Sequence, residues 1–372
     1  MTTMSVAVNL LWLAPGRVGG SEEYLVRQLA GLPIDPELSP VLFCQHGFAG
    51  AHPDLAKRFE VVTMPFRRDL RGSRVVAEHT WLSARTRRFD VVHHGGGTVP
   101  VATPGRVLLT VHDLQYRQFP DYFSSARLRY LAAMVPRSVR RASCVATPSE
   151  FVRGTVIEAF GADPSQVVVV PHGIPKLEIP DPSVLTATLH RYGLDNRPYV
   201  IYPAITHPHK GHAVLVEMMR HVDPELSLVL IGGVGSAEKS VGVATERTGM
   251  ASRVVRPGRV SSSDRNALMA GAQALVFPSE FEGFGAPLVE AMALDVPVVC
   301  SGHAAVREVV GDAAVIVDGG PAEWASAVDR ARRERSDLVS AGRLRRRAFT
   351  LEASGNALAG TYRRMIEGNR AS

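Results

Sequence analysis

The chain has 372 residues, 45% hydrophobic and 21% charged, with a mean hydropathy of +0.03. That length is too great for one ordinary domain and suits two, and no apolar run approaches the roughly 20 residues of a membrane-spanning helix. A net charge of +6 favours anionic partners such as nucleotides, phospholipids or nucleic acid, without choosing among them.

In chain order, short Val- and Leu-rich runs alternate with helical patterns. The N-terminal "VAVNLLWLAPG" lacks the basic flank and cleavage site of a signal sequence and reads as a first buried strand. "SPVLFCQ", "FDVVHH", "RVLLTVHD", "ASCVATPS" and "QVVVVPHG" follow, each closed by a polar or turn residue. Non-alternating apolar runs of this kind predict strands buried on both faces, hence parallel sheets covered by helices. "PKLEIPDPSVLTATLHRYGLDNRP" interrupts the rhythm with prolines and polar residues. The rhythm then resumes with "YVIYPAI", "LSLVLIGG", "RVVRPGRV", "ALVFPS", "VPVVCS" and "AAVIVD". The expectation is an N-terminal Rossmann-like domain over 1–180, a linker over 181–194 and a second Rossmann-like domain over 195–350. An amphipathic tail helix over 351–372 rejoins the first domain. Cys44, Cys144 and Cys300 stand far apart in apolar stretches, which points to buried, reduced thiols rather than a disulfide or zinc framework.

The stretch "PSEFEGFGAPLVEAMALDVPVVCS", 278–301, carries the chemistry. A strand is expected to end at Pro278–Ser279. Pro287 is placed at the first position of a helix, which puts Glu282 in the loop and Glu290 in the first helical turn. The glycines between them allow close approach of a ligand, and a helix start offers N–H groups to an anion. Two carboxylates and several N–H donors together suit a ligand with hydroxyls and a diphosphate. Equally, Glu290 is a favourable first-turn acid and Glu282 a solvated loop residue, and spacing alone does not separate these readings.

The stretch resembles the E-x7-E signature of retaining glycosyltransferase family 4, standing here as "PSEFEGFGAPLVEAMA" and continuing through "VPVVCS" and "REVVGDAAVIVD". The resemblance implies a GT-B fold, an α/β architecture of two doubly wound Rossmann-like domains facing a central cleft. It also implies transfer of a sugar from a nucleotide-diphosphate sugar with retention. It assigns the ribose hydroxyls to Glu290, and the transferred sugar to Glu282 and the loop amides of Gly283, Phe284 and Gly285. It places the turn bearing Gly16, Gly19 and Gly20 by the diphosphate or acceptor, His112 near the reacting carbon, Lys210 on the diphosphate, and the backbone at Val260 by the nucleobase. His112 and Glu282 are thus the expected catalytic residues. Asp113 is expected to shape its turn and His172 to be structural. The sequence departs from the family at Ala204, where many members carry an arginine. His207, His209 or a distant arginine then has to supply that charge, or the chain is a catalytically inactive nucleotide-sugar-binding partner of another transferase. No Asp-x-Asp pair is present, so neither a metal nor another cofactor is expected.

Two arginine-rich tracts remain. Arg67, Arg68, Arg71, Arg74, Arg85, Arg87 and Arg88 form the first. In "SSARLRYLAAMVPRSVRRAS", Leu128, Leu131, Ala132, Val135 and Val139 fall on one helical face, with Pro136 expected to kink the helix. A solvated basic face over a core-facing stripe is one reading. Peripheral attachment to the anionic inner face of a membrane, suited to a lipid-linked acceptor, is the other. No nucleic-acid module is recognisable. The expected location is the cytoplasm; the acceptor and the oligomeric state are not encoded in these patterns.

Overall fold

The computed structural model describes residues 3–14, 19–65 and 71–367, with residues 71–73 described by their backbone alone. Gly16, Arg67 and Arg68 lie outside the described residues, as does the side chain of Arg71. The chain forms two units, Met1–Gly173 with Thr350–Ser372, and Ile174–Phe349.

The first unit is a parallel sheet of seven strands: β1 (Met4–Leu10), β2 (Leu38–Cys44), β3 (Glu60–Thr63), β4 (Val91–His94), β5 (Arg106–Thr110), β6 (Cys144–Thr147) and β7 (Val167–Val169). Their order is 3-2-1-4-5-6-7, and every pairing is parallel. Every residue of β4 and β6 is buried, as the unbroken apolar runs required. The strand order reverses between β1 and β4, which is where open α/β sheets place their ligands. β3 escaped the sequence reading. It is an edge strand of four residues with exposed Glu60 and Thr63 and half-buried Val61 and Val62, so it carries no strong apolar signal.

The second unit repeats the plan with β8 (Tyr199–Pro203), β9 (Ser227–Ile231), β10 (Val254–Gly258), β11 (Ala274–Phe277), β12 (Val298–Ser301) and β13 (Val315–Val317). The order is 10-9-8-11-12-13, all parallel, and the switch lies between β8 and β11. Residues 181–194 are not a bare linker. Pro182–Arg191 is a helix of the second unit, opened by Asp181, which accepts a hydrogen bond from Ser183 N at 2.8 Å. Pro182, read as part of the linker, is a helix start, since proline fits the first turn behind an aspartate cap. The division between units accordingly falls at Gly173/Ile174 rather than after residue 180.

The tail helix, Leu351–Glu367, packs in the first unit against helix Gly20–Ala30. The approach is between backbones. A methyl group added at Gly355 would lie 1.9 Å from the carbonyl carbon of Gly31. Gly355→Ala is therefore expected to destabilise the first unit by about 1–3 kcal/mol, the usual cost of overpacking. Thermal unfolding checks this, and an unchanged Tm would refute the close crossing.

Helix Ser125–Arg141 continues through Pro136, which lies inside it. Leu128, Leu131, Val135 and Val139 pack into a core cluster, but Ala132 is exposed. The apolar stripe is thus used up by the core, while Arg127, Arg129 and Arg140 face solvent. Among the described residues, no helix is long and apolar enough to cross a membrane. The three cysteines are buried and form no disulfide, and burial pushes the Cys144 thiol up to about 11.

Candidate active site

In the second unit, two loops at the carboxyl ends of neighbouring strands are stitched together. After β8 the chain makes a tight turn, Pro208–Lys210, and enters helix His212–Met218 through Gly211 in the left-handed region (φ +67°). A methyl group at Gly211 would sit 2.7 Å from the Pro278 carbonyl oxygen, so only glycine lets this turn rest on the end of β11. Glu280 N donates to His209 O at 2.8 Å across the same junction.

The consequence is that Lys210 and Glu282, 72 residues apart in sequence, meet. Lys210 Nζ donates to Glu282 Oε1 at 2.6 Å, with side chains 20% and 13% exposed. Glu282 also acts on its surroundings. The Tyr202 hydroxyl, which shares a 2.7 Å hydrogen bond with Ser279 Oγ, is pushed well above its usual pKa first by burial and then by this carboxylate. Burial lowers the His303 pKa, and Glu282 opposes that shift. A cavity of about 720 Å³ opens at the ends of β8, β11, β12 and β13, lined by His207, Gly211, Ser279, Glu280, Ser301 and His303 among others.

Glu290 lies deeper than the sequence suggested. Helix Ala286–Ala293 begins one residue before Pro287, so Glu290 is its fifth residue and sits in the second turn rather than the first. It is 3% exposed and paired with Arg265 from helix Ser262–Ala270. Glu290 is therefore not a first-turn acid but a buried carboxylate tied to a guanidinium. Phe284 is a core side chain, edge-on to Phe349, so only its backbone is available to a ligand. Gly285 takes a left-handed conformation just before the helix, and Gly283 lies in the same loop. Val260 packs partly into the core immediately before Ser261, which caps helix Ser262–Ala270 by accepting from Asp264 N at 3.0 Å.

Burial, and then Lys210, push His209 down to about 3 and lower His207, so both are neutral near pH 7. Arg259 lies against Gly233, just after β9. A methyl group at Gly233 would lie 2.9 Å from Arg259 Nε, and one at adjacent Gly232 would lie 2.2 Å from the Ala204 carbonyl oxygen.

In the first unit, His112 follows β5, and its Nε2 donates to Gly95 O at 2.8 Å. Its ring packs against Trp12 (centroids 5.7 Å apart) and edge-on to Tyr24 (5.3 Å). Burial lowers its pKa, so the ring is a neutral imidazole with Nε2 committed and Nδ1 as the acceptor. Asp113 Oδ1 accepts from Gln115 N at 2.9 Å and closes the turn. His172 is buried, edge-on to Tyr24 and 3.5 Å from Arg27, in a structural setting. Gly19 is left-handed (φ +74°) at the start of helix Gly20–Ala30. Arg265 had escaped the sequence reading, because nothing in a helical "SSSDRNALMA" marks one arginine as reaching a glutamate 25 positions on.

The chain matches two protein-family models, Glycosyltransferase Family 4 over residues 18–176 and Glycosyl transferases group 1 over residues 190–347. It belongs to glycosyltransferase family 4, and its paired Rossmann-like units are those of the GT-B fold. It is 30% identical over 234 residues to O-antigen chain mannosyltransferase B of Escherichia coli, covering 62% of this chain and 61% of that one. It is also 30% identical over 262 residues to MMP alpha-(1->4)-mannosyltransferase of Mycolicibacterium hassiacum, covering 65% and 59%. The chain thus spans 61% and 59% of the lengths of these relatives. Its fold matches that of the Anabaena protein HepE in complex with UDP and glucose, with a TM-score of 0.77 at 21% identity, covering 96% of this chain and 99% of that one.

Proposed function

We propose that the protein is a retaining glycosyltransferase that moves a sugar from a nucleotide-diphosphate sugar to an acceptor hydroxyl, in glycan, glycolipid or glycosylated-metabolite synthesis. The observation that carries this reading is the 2.6 Å pairing of Lys210 with Glu282. The reading gives Lys210 the diphosphate and Glu282 the transferred sugar. In the donor these two groups share one bond, so their protein partners have to be neighbours. The relatives named as mannosyltransferases, and HepE with its UDP and glucose, support a hexose linked to a nucleoside diphosphate.

On this reading, Lys210 exchanges part of its contact with Glu282 for the donor phosphate, and Arg259 supplies the charge that Ala204 lacks. The amides of Gly283, Phe284 and Gly285 face the sugar, and Glu290 takes the ribose. The bond from the anomeric carbon to the phosphate oxygen breaks, with Lys210 stabilising the charge that grows there. The acceptor oxygen then bonds to that carbon from the same face and passes its proton to the departing phosphate. His112, neutral and oriented by Gly95, offers Nδ1 to a sugar hydroxyl near that carbon. The phosphate charge is met by side chains and amides, and no resident metal is part of this proposal. The exposed face of Arg127, Arg129 and Arg140 adds a peripheral contact with anionic lipid at a cytoplasmic surface. That contact is electrostatic, since the apolar stripe of the helix serves the core.

The test is a panel of UDP-, GDP-, ADP- and dTDP-sugars, scored in excess EDTA for thermal stabilisation and slow donor hydrolysis. One donor is expected to raise Tm and to be hydrolysed with chelator present. A panel with neither response rejects the reading. Activity abolished by EDTA and restored by magnesium or manganese rejects the metal-free phosphate site.

A further inference from the structure

Glu290 is a carboxylate at 3% exposure, and burial of an ion demands a partner. One such partner is Arg265, whose side chain is 23% exposed. The acid next to Arg265 in sequence is engaged elsewhere: Asp264 receives Arg191 at 2.7 Å and the Tyr192 hydroxyl at 2.9 Å. Helix Ser262–Ala270 is thereby anchored on one side to the 182–191 helix and its end, and on the other to Glu290. Val260, assigned to the nucleobase, stands two residues before this helix. One rigid element therefore carries the expected base contact at its entry and, one turn on, the cation that holds the expected ribose acceptor.

Resting on the donor reading above, we propose that Arg265 is a positioning residue of the nucleotide subsite. It holds the Glu290 carboxylate turned toward the ribose, and so makes the site discriminate ribose from deoxyribose. Lys210 does the corresponding work for Glu282 by a different physics. An ammonium on a flexible stem can change partners when phosphate arrives, whereas a planar guanidinium fixes the carboxylate it grips.

The experiment is calorimetric titration of UDP and GDP, and of their 2′-deoxy counterparts, into wild type, Arg265→Leu, Arg265→Lys, Glu290→Gln and the Arg265→Leu/Glu290→Gln double variant. Wild type is expected to favour the ribose form by about tenfold or more, the worth of hydrogen bonds to a charged group. Arg265→Leu should lose that preference, binding the ribose and 2′-deoxy forms about equally. Arg265→Lys should recover part of the preference. In the Glu290→Gln background, Arg265→Leu should add nothing further, since its target is already gone. Full discrimination in Arg265→Leu, or additive losses in the double variant, overturns the proposal. Should the leucine variant fail to fold, Arg265→Lys and Arg265→Gln decide by the same two criteria. Wild type that binds neither diphosphate sinks the donor reading itself, a different result from binding without discrimination.

Discussion

Glu282→Gln is expected to lower turnover at saturating donor by about 10²-fold or more, the scale of removing one pre-organised electrostatic contact, with donor affinity little changed. Glu290→Gln is expected to do the reverse, raising the apparent donor constant by roughly ten- to a hundredfold with a smaller effect on the rate constant. In the proposed reaction, positive charge develops on the sugar as the leaving group departs. A carboxylate beside it binds the transition state more tightly than the ground state, and neutralising it costs rate. Ribose contacts are the same in both states, so their loss costs binding alone. Glu282 is 13% exposed beside Lys210, on a loop held by the Glu280–His209 hydrogen bond, where a substrate group can reach it. Glu290 sits in a helix, gripped by Arg265, suited to a constant role. Free nucleoside diphosphate, with ribose and no sugar, is the control. Its binding should suffer in Glu290→Gln and stay nearly normal in Glu282→Gln. The opposite split would reverse the two roles, and full activity in both variants would remove the signature from the chemistry.

Stability is expected to fall steeply as pH drops from about 6.5 toward 4. In the first unit, burial pushes His93 and His94 down to about 3. In the second, burial pushes His209 to about 3 and His212 to about 4. All four are buried and neutral when folded, while the unfolded chain protonates them near 6.5. Below that value the unfolded state binds protons the folded state refuses. The stability these histidines lend is fully present above 6.5 and is lost as pH falls toward the folded values. Each costs up to about 1.4 kcal/mol per pH unit in that window. His93 bridges the Thr110 and Tyr362 hydroxyls at 2.8 Å each, and so ties β5 to the tail helix. Glu78 works the other way, because burial raises its pKa and its uptake of a proton favours the folded state. Denaturant unfolding from pH 7.5 to 4.5 measures the slope, and His93→Gln should flatten it. A midpoint independent of pH over that range would refute the neutral assignment.

Much of the fold was legible because its signals are local. Parallel strands buried on both faces must be apolar throughout, so "YVIYPAI" or "VPVVCS" announces itself without its neighbours. β3 did not, being an edge strand with half its residues in solvent. The Asp181–Pro182 helix start was mistaken for a linker, because proline marks a first turn and a break equally well. Glycine, proline and the two glutamates of 282–290 made a loop-to-helix junction readable, along with the family it belongs to. What the sequence could not determine was who pairs with whom. Lys210 meets Glu282 only because Gly211 lets its turn rest on Pro278, and Arg265 meets Glu290 only because two helices on the sheet face bring them together. Charge, burial and proton affinity depend on such through-space neighbours. Residue types and spacing named the chemical groups of this site, and tertiary packing decided which are paired, which are neutral and which lie beyond the reach of water.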